Sequence, residues 1–189
     1  MTNTIDIKVD ELWNKALGSW NSPSVPYVIA PKDKEEMGQL GEVGMALKGE
    51  LAFMKYPEFQ TYLNLEKIVE KFPSNPQRGA NAIAGHEVGH RFCPYDVITS
   101  IILNNAIKKA LQGEKLPYNV DSASKNVLNL FSDMCINTRF AQRGNEDIPW
   151  AYQELSKDKK DSKFWRVYAK SMEIAWNKTI LPTDTQFKE

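Results

Sequence analysis

The sequence predicts an α+β fold that is mostly helical, with a small sheet in its N-terminal part. After residue 73 the chain runs in long segments with helical periodicity, whereas short apolar runs between prolines and glycines come before it. The chain has 189 residues, 42% of them hydrophobic, and no internal repeat, which favours one domain spanning 1–189. We divide this domain into an N-terminal part, 1–72, that holds the small sheet, and a helical part, 73–189.

Short elements are predicted along the N-terminal part. They are helices over 10–20 (DELWNKALGSW, capped by Asp10), 33–47 and 63–72, and a strand at Tyr27–Ile29 between prolines. Three glycines weaken the second of these helices. Residues 44–54, GMALKGELAFM, predict either a hairpin around Lys48-Gly49 or a strand that leads to a turn at Pro57. We therefore expect a small sheet flanked by short helices.

The helical part carries stronger start and stop signals. Its helices are predicted over 76–92, 96–111, from Asp121 or Ser122 to 142, and after Pro149 and Asp161. Asn75 is an N-cap in front of a first-turn proline, and Pro94 ends the first helix because the residue before a proline leaves the helical region. The last helix is predicted to bury one apolar face, made of Phe164, Val167, Tyr168, Met172 and Ala175.

Charge and cysteine content exclude several classes of protein. Lysine plus arginine and aspartate plus glutamate number 24 each, so the chain gives no electrostatic reason to bind nucleic acid or an anionic membrane. The N-terminus does not resemble a signal peptide, and no run approaches about 18 apolar residues, so we expect a soluble, cytoplasmic protein. Cys93 and Cys135 are too few for a disulfide scaffold, and we expect both to be small core residues.

Both histidines of the chain, His86 and His90, lie in the stretch AGHEVGHRF. On a helix, residues four apart project side by side, so their two ring nitrogens can bind one metal ion. Glu87 lies about 100° further round the helix, where its carboxylate can reach a water on the metal without being a ligand. This HExxH spacing is typical of zinc hydrolases, in which the glutamate takes the proton of that water. The alternative is a surface or structural pair of histidines.

The residues around the histidines favour a buried helix. Its apolar members are Ala82, Ile83, Ala84 and Val88, as expected for a helix that crosses a core. Gly85 and Gly89 weaken it by up to about 1 kcal/mol each relative to alanine. Glycines at these positions are expected to let another backbone or a substrate come close.

The third metal ligand is predicted on the helix KNVLNLFSDMCINTRF, residues 125–140. Its apolar residues go nearly all the way round, so it should be buried, yet Asn129, Asp133 and Asn137 form a polar stripe along it. A buried carboxylate is costly unless it is paired or binds a metal. We therefore expect Asp133 to be the ligand, with Asn129 and Asn137 orienting it or bonding to the histidines. The alternatives are Asn129 as ligand with Asp133 behind a histidine, Cys93 as ligand, or a stripe that faces solvent.

The two motifs, HEVGH and NLFSDMCIN, resemble those of the zincin metallopeptidase superfamily. The likeness covers about residues 75–140 and is closer to prokaryotic metallopeptidase domains, including some that precede von Willebrand A-like domains. The second helix of those domains has a pattern of polar and apolar residues that is matched here by Asn129, Asp133, Ile136 and Asn137. The resemblance implies a zincin-like fold, in which the HExxH helix and the third-ligand helix pack together in the helical part.

The resemblance also implies the roles of individual residues. His86, His90 and Asp133 would bind Zn²⁺, and Glu87 would be the general base. Zincins resemble one another in presenting an edge strand that pairs with the substrate, and residues 49–56, GELAFMKY, are the candidate for that strand.

The expected function is zinc-dependent hydrolysis of a peptide or protein substrate, with a regulatory protein as a further partner. Hydrolysis also needs a group that stabilises the oxyanion, and the candidates are Tyr95, Arg91, Arg139 and Tyr152. The first alternative is a catalytically inactive zincin-like module that binds zinc and acts as a protein-interaction domain. The second is a metal-free helical adaptor.

Overall fold

A computed structural model describes residues 7–31, 34–55, 58–92, 97–115, 119–158 and 162–181. The elements in this part are, in chain order, α1 (Val9–Trp20), β1 (Tyr27–Ile29), α2 (Lys34–Gln39), α3 (Glu42–Gly49), β2 (Ala52–Lys55), β3 (Gln60–Leu63), α4 (Leu65–Lys71), α5 (Pro76–Gly89), α6 (Val97–Leu111), α7 (Val120–Gln142), α8 (Asp147–Lys157) and α9 (Lys163–Trp176). The described part is mostly helical with one small sheet near the N-terminus, which confirms the predicted α+β class.

The sheet has three strands in the order β1-β3-β2, so β2 lies at an edge. β1 runs parallel to β3 with Tyr27 opposite Thr61, and β2 runs antiparallel to β3 with Met54 opposite the same threonine. The strand predicted at Tyr27–Ile29 is confirmed. For the described part of the chain, one long side of β2 is therefore left unpaired by the sheet.

The second of the two predicted alternatives, a strand, is confirmed for residues 52–55, whereas residues 44–49 are helical and the hairpin around Lys48-Gly49 is wrong. Those two residues close the helix α3, because Leu47 is fully buried and its carbonyl accepts a hydrogen bond from the Asn64 side chain at 2.9 Å. The turn at Pro57 lies outside the described residues.

The helix predicted over 33–47 is two helices, α2 and α3, which meet at a corner. Gly41 has a φ of +57°, a left-handed conformation that glycine adopts without strain, and it ends the helical run between the two. Gly44 lies directly against α2, since a Cβ there would be 2.0 Å from the Met37 carbonyl oxygen. Gly41 and Gly44 therefore make this close corner. Asp33 lies outside the described residues.

Two helix starts in the N-terminal part differ from the prediction. The N-cap of α1 is Lys8 and not Asp10, whose carboxylate instead accepts a hydrogen bond from the Tyr27 hydroxyl at 2.7 Å. The helix predicted from Leu63 begins two residues later, because Leu63 pairs in the sheet and Asn64 caps α4 by accepting from the Lys67 N–H.

The helices predicted in the helical part are all present, with ends shifted by a few residues. The cap at Asn75 is confirmed, since its side chain accepts from the Arg78 N–H at the start of α5. α7 begins at Val120, shortly before the predicted start at Asp121 or Ser122, because the Asn119 side chain caps it by accepting from the Ser122 N–H at 2.8 Å. α5 ends at Gly89 instead of Phe92.

The face that α9 buries was predicted only in part, because Met172 is buried and Tyr168 half-buried as predicted but the other three residues are exposed. Phe164 and Val167 are 58% and 59% exposed and Ala175 is also exposed, whereas the buried residues are Trp165, Ala169, Met172 and Trp176. The two indoles account for this rotation: their N–H groups donate to Ser156 and Thr138, and tryptophan buries the largest apolar area of any side chain. Trp165 and Trp176 therefore belong to the core, while Trp150 is half-buried.

α5 lies at the centre of the fold, in contact with α1, α4, α7, α8 and the sheet. Gly85 and Gly89 were expected to let another backbone or a substrate come close, and in the structure it is large side chains that pack against them. A Cβ on Gly85 would be 2.2 Å from the Phe140 ring, and one on Gly89 would be 2.5 Å from Ile136. The Trp20 indole donates to the Gly85 carbonyl at 2.7 Å, which ties α1 to the same place. None of the helices described has both the length and the apolar character needed to cross a membrane.

Candidate metal centre

Helices α5 and α7 bring together the three residues that the sequence predicted as metal ligands. His86 lies in the last turn of α5, His90 is the residue that follows its end, and Asp133 lies in the middle of α7. The two helices are held close because Phe140 and Ile136 of α7 pack directly on the glycines of α5. All three side chains are half-buried, with 15–21% of their surface exposed.

The distances between the three side chains match those of ligands around one small cation. The Asp133 Oδ1 atom lies 3.6 Å from the Nε2 atom of His86 and 3.6 Å from that of His90, and the two Nε2 atoms are 3.2 Å apart. Ligands placed tetrahedrally about 2.0–2.1 Å from a cation lie about 3.3 Å from one another. The cluster could therefore hold a metal ion.

The hydrogen bonding of Asp133 also points to a cation. Its Oδ1 atom is buried and has no hydrogen-bond partner among the described residues. Burial raises the pKa of this carboxyl, an effect that the neighbouring His86 partly opposes and Glu50 adds to. Burial, followed by the proximity of His86, lowers the pKa of His90 to about 3, so this imidazole is neutral at pH 7, which is the form in which histidine binds a metal. A neutral ring cannot balance the buried carboxylate, whereas a divalent cation would.

The two asparagines predicted to orient the site both do so, from different sides. The Asn137 Oδ1 atom lies 2.8 Å from His86 Nδ1. Because an amide oxygen only accepts, this bond places the ring hydrogen on Nδ1 and leaves the Nε2 lone pair directed at the cluster. The Asn129 amide nitrogen donates to Asp133 Oδ2 at 3.3 Å and so holds the carboxylate from the other side. In this arrangement Asp133, and not Asn129, is nearest to the histidine rings.

Glu87 is a buried carboxyl group beside the cluster, with only 5% of the residue exposed. Its Oε2 atom has no hydrogen-bond partner in the described part of the chain. Burial raises the pKa of Glu87 to about 7; the neighbouring His86 opposes this rise, and the charges of Asp133 and Glu50 add to it. A carboxyl whose pKa is near 7 can both take and give a proton at neutral pH, as a general base requires.

The cluster opens into a cleft of about 890 Å³. The cleft is bounded by the edge strand β2 on one side and by α6 and α7 on the other, and Glu87 lies in its wall. Its apolar lining is formed by Leu51, Ala52, Phe53, Met54, Ile83, Ile101 and Leu128. This size and largely apolar character are typical of ligand-binding sites. Residues 51–54 of the predicted substrate-pairing segment are thus placed beside the cluster.

No protein-family model, curated protein or solved structure matches this chain. The zincin resemblance therefore stays a prediction, and the metal centre rests on its sequence pattern and its geometry.

The oxyanion candidates that the structure describes do not line the cleft. Arg91 is exposed and lies over the Phe59 ring at 5.7 Å, and Arg139 is exposed near the end of α7. Tyr152 reaches the site from behind His86, where its hydroxyl accepts a hydrogen bond from Asn137 at 2.7 Å. Tyr95 lies outside the described residues.

Cys135 takes no part in the described cluster. Cys135 lies on α7 and is half-buried, whereas a fully buried core residue was predicted. Cys93, the alternative ligand, lies outside the described residues.

Three residues near the site were missed by the sequence analysis. Lys125 lines the cleft one turn before Asn129, and its spacing along the polar stripe of α7 would have allowed it to be found. Glu50 lines the cleft from the position directly after α3, and Tyr168 contacts the Tyr152 hydroxyl from α9. These two have no signal in the sequence, because they reach the site only through tertiary packing.

Proposed function

We propose that this chain is a zinc-dependent peptidase of the zincin type. The observation that carries the proposal is the buried Oδ1 atom of Asp133, which lacks a hydrogen-bond partner among the described residues and lies 3.6 Å from both histidine Nε2 atoms. Beside it is a buried glutamate whose pKa is about 7, in the wall of a cleft large enough for a peptide.

The donor set supports zinc over other divalent ions. Two imidazoles and one carboxylate, with an open position, form the ligand set of catalytic zinc sites, whereas magnesium and calcium prefer oxygen ligands alone. Bound zinc would lower the pKa of a water molecule and polarise the carbonyl of the scissile peptide bond. His86, His90 and Asp133 would hold the ion. Asn137 would keep His86 in place, and Asn129 would keep Asp133 in place.

Glu87 is the proposed proton carrier. Its carboxylate accepts the proton of the attacking water as the carbon–oxygen bond forms, and then gives that proton to the departing amine as the carbon–nitrogen bond breaks. Burial keeps the pKa of Glu87 near 7, so neither the loss nor the gain of this proton is strongly unfavourable at neutral pH.

Strand β2 is the proposed binding site for the substrate backbone. It lies at the edge of the described sheet and lines the same cleft as Glu87. An extended peptide can add to such an edge through main-chain hydrogen bonds, which bind peptides of many sequences. The apolar lining of the cleft would then receive apolar side chains of the peptide.

The decisive experiment compares the wild-type protein with Glu87→Gln and His86→Ala on an unfolded protein substrate. We expect zinc at one ion per chain in the wild type, and hydrolysis that stops with a chelator and returns with zinc. Glu87→Gln should keep the zinc and lose activity by about 10²–10⁴-fold, as expected when a general base is removed. Full zinc occupancy in the wild type with no hydrolysis of any unfolded substrate would refute the proposal.

A second candidate is a zinc-stabilised interaction module without catalytic activity. It is favoured because the ligands come from two different helices. An ion held by His86 and Asp133 would cross-link α5 to α7 whether or not a substrate is turned over. In that case Glu87→Gln would leave the biological role intact, whereas His86→Ala would destabilise the domain.

A further inference from the structure

A chain of hydrogen bonds leads from His86 away from the cleft. The ring Nδ1 atom of His86 bonds to Asn137 Oδ1 at 2.8 Å, and the Asn137 amide nitrogen donates to the Tyr152 hydroxyl at 2.7 Å. The Tyr152 hydroxyl in turn lies 3.4 Å from that of Tyr168. These hydrogen bonds connect α5, α7, α8 and α9, so four helices contribute to the position and hydrogen bonding of the His86 imidazole.

The two tyrosines are held firmly by aromatic packing. The Tyr152 ring stacks on Trp165 at 5.6 Å and meets the edge of Trp176 at 5.3 Å. Burial raises the pKa of Tyr168 to about 12 and that of Tyr152 well above its ordinary value. Each hydroxyl therefore keeps its single hydrogen at neutral pH.

The number of hydrogens sets the direction of the bonds. Since the Asn137 amide nitrogen donates to Tyr152, the hydrogen of Tyr152 must go elsewhere, and the Tyr168 oxygen is the neighbouring acceptor. If Tyr168 did not accept the hydroxyl hydrogen of Tyr152, Tyr152 would donate it to Asn137. The Asn137 amide would then rotate so that its oxygen faces Tyr152. The amide nitrogen would then face His86 Nδ1, and the ring hydrogen would move to Nε2, where it blocks metal binding.

We propose that Tyr152 and Tyr168 are positioning residues that select the tautomer of His86 in which Nδ1 carries the hydrogen and Nε2 is free for the metal. This inference rests on the metal centre of the proposed function, but it concerns the protein before any metal or substrate binds. Removing either hydroxyl should therefore lower the affinity for zinc, although neither tyrosine touches the metal position.

The test uses metal-free protein and the nitrogen NMR signals of the imidazole rings. Only two histidines exist, so one variant, His90→Ala, assigns both rings. In the wild type we expect His86 to be protonated on Nδ1. In Tyr152→Phe and in Tyr168→Phe the form protonated on Nε2 should rise to a comparable population, and zinc affinity should fall by about tenfold in chelator competition. Tyr62→Phe is the matched control, because the buried Tyr62 bonds to Gln60 in the sheet.

A rescue experiment separates positioning from general stability. In an Asn137→Asp background the carboxylate can only accept, so Nδ1 of His86 must carry a hydrogen whatever Tyr152 does. Adding Tyr152→Phe to this background should then leave the protonation of Nδ1 unchanged, whereas a purely structural role would act in both backgrounds.

The inference is overturned if both tyrosine variants keep the wild-type tautomer and the wild-type zinc affinity. It is also overturned if Tyr62→Phe has the same effect as they do. The peptidase proposal can fail without affecting this result: a protein that hydrolyses nothing but shows the tautomer change refutes the proposed function and supports the positioning role.

Discussion

Gly85→Ala should damage both the stability of the fold and the metal centre, although this residue ligates nothing. The new Cβ would lie 2.2 Å from a carbon of the Phe140 ring, whereas carbon atoms in contact lie about 3.5 Å or more apart. The ring would have to move by about 1.3 Å. It has little room to do so, because Phe140 is 2% exposed and stacks on Trp20, whose indole is bonded to the Gly85 carbonyl.

The size of the effect follows from two opposing contributions. Alanine favours a helix over glycine by about 1 kcal/mol, which stabilises the variant. Overpacking a closed core costs about 1–3 kcal/mol, so after the helix gain is subtracted the free energy of unfolding should fall by up to about 2 kcal/mol. For a chain of this length, that lowers the midpoint of thermal unfolding by up to about 8 °C.

The same displacement should reach the metal ligands. Phe140 lies two helical turns after Asp133 on the same side of α7, so pushing the ring away from α5 moves the carboxylate away from the histidines. The ligand atoms are already 3.2–3.6 Å apart, close to the tetrahedral value, and a shift on the order of 1 Å would lose one of the three bonds. We expect zinc affinity to fall by more than about tenfold.

The assay is urea unfolding of the metal-free protein together with zinc competition against a chromogenic chelator. Gly18→Ala is the matched control, because Gly18 lies within α1 and a Cβ there meets nothing within 4 Å. The control should gain about 0.5–1 kcal/mol and keep its zinc affinity. If both variants gain stability and bind zinc alike, the close packing of Phe140 on α5 is not what holds the site together.

Three further predictions concern the acidic residues of the site. Asp133→Asn keeps the side-chain shape but removes its charge, so zinc affinity should fall by more than about a hundredfold in chelator competition, and an unchanged affinity would show that Asp133 is not a ligand. In metal-free protein, burial favours the protonated form of Glu87 in the folded state, which raises its pKa from 4.5 to about 7. The wild type should therefore lose up to about 3 kcal/mol of stability relative to Glu87→Gln as the pH rises through this range, and parallel unfolding curves would contradict it. Glu50→Gln removes a charge that raises the pKa of Glu87, so the acidic limb of the pH–activity profile should move to lower pH, and a move to higher pH would contradict this assignment.

The sequence predicted best those features that depend on residues close together in the chain. The spacing of His86 and His90 and the cap at Asn75 belong to this kind, because helical geometry alone relates the residues concerned. The pairing of α5 with Asp133 of α7 was also predictable, although it spans many residues. A buried carboxylate on an apolar helix needs a partner, and the histidine pair was the obvious one in this sequence.

Features decided by competition between distant groups were predicted wrongly or not at all. On α9 the apolar residues allow more than one buried face, and the choice depends on indole partners in α8 and α7, Ser156 and Thr138. The cap of α1 moved to Lys8 because the Asp10 carboxylate bonds to Tyr27, which lies beyond the helix. At such positions the local sequence pattern allows several buried faces or capping residues, and contacts with distant residues decide which of them is adopted.

The polar stripe of α7 explains why one helix can carry so much of the site. The polar side chains of the stripe have different contacts. Asn137 bonds to His86 and Tyr152, Asn129 bonds to Asp133, and Lys125 lines the cleft. In a folded core nearly every buried polar atom finds a partner, so the exceptions are informative. Along this stripe and on α5 the exceptions are Asp133 Oδ1 and Glu87 Oε2, both near the histidines. Two buried carboxylate oxygens without partners are costly, and a single cation with its water would satisfy both, which is why we interpret this place as a candidate metal centre and not as a strained core.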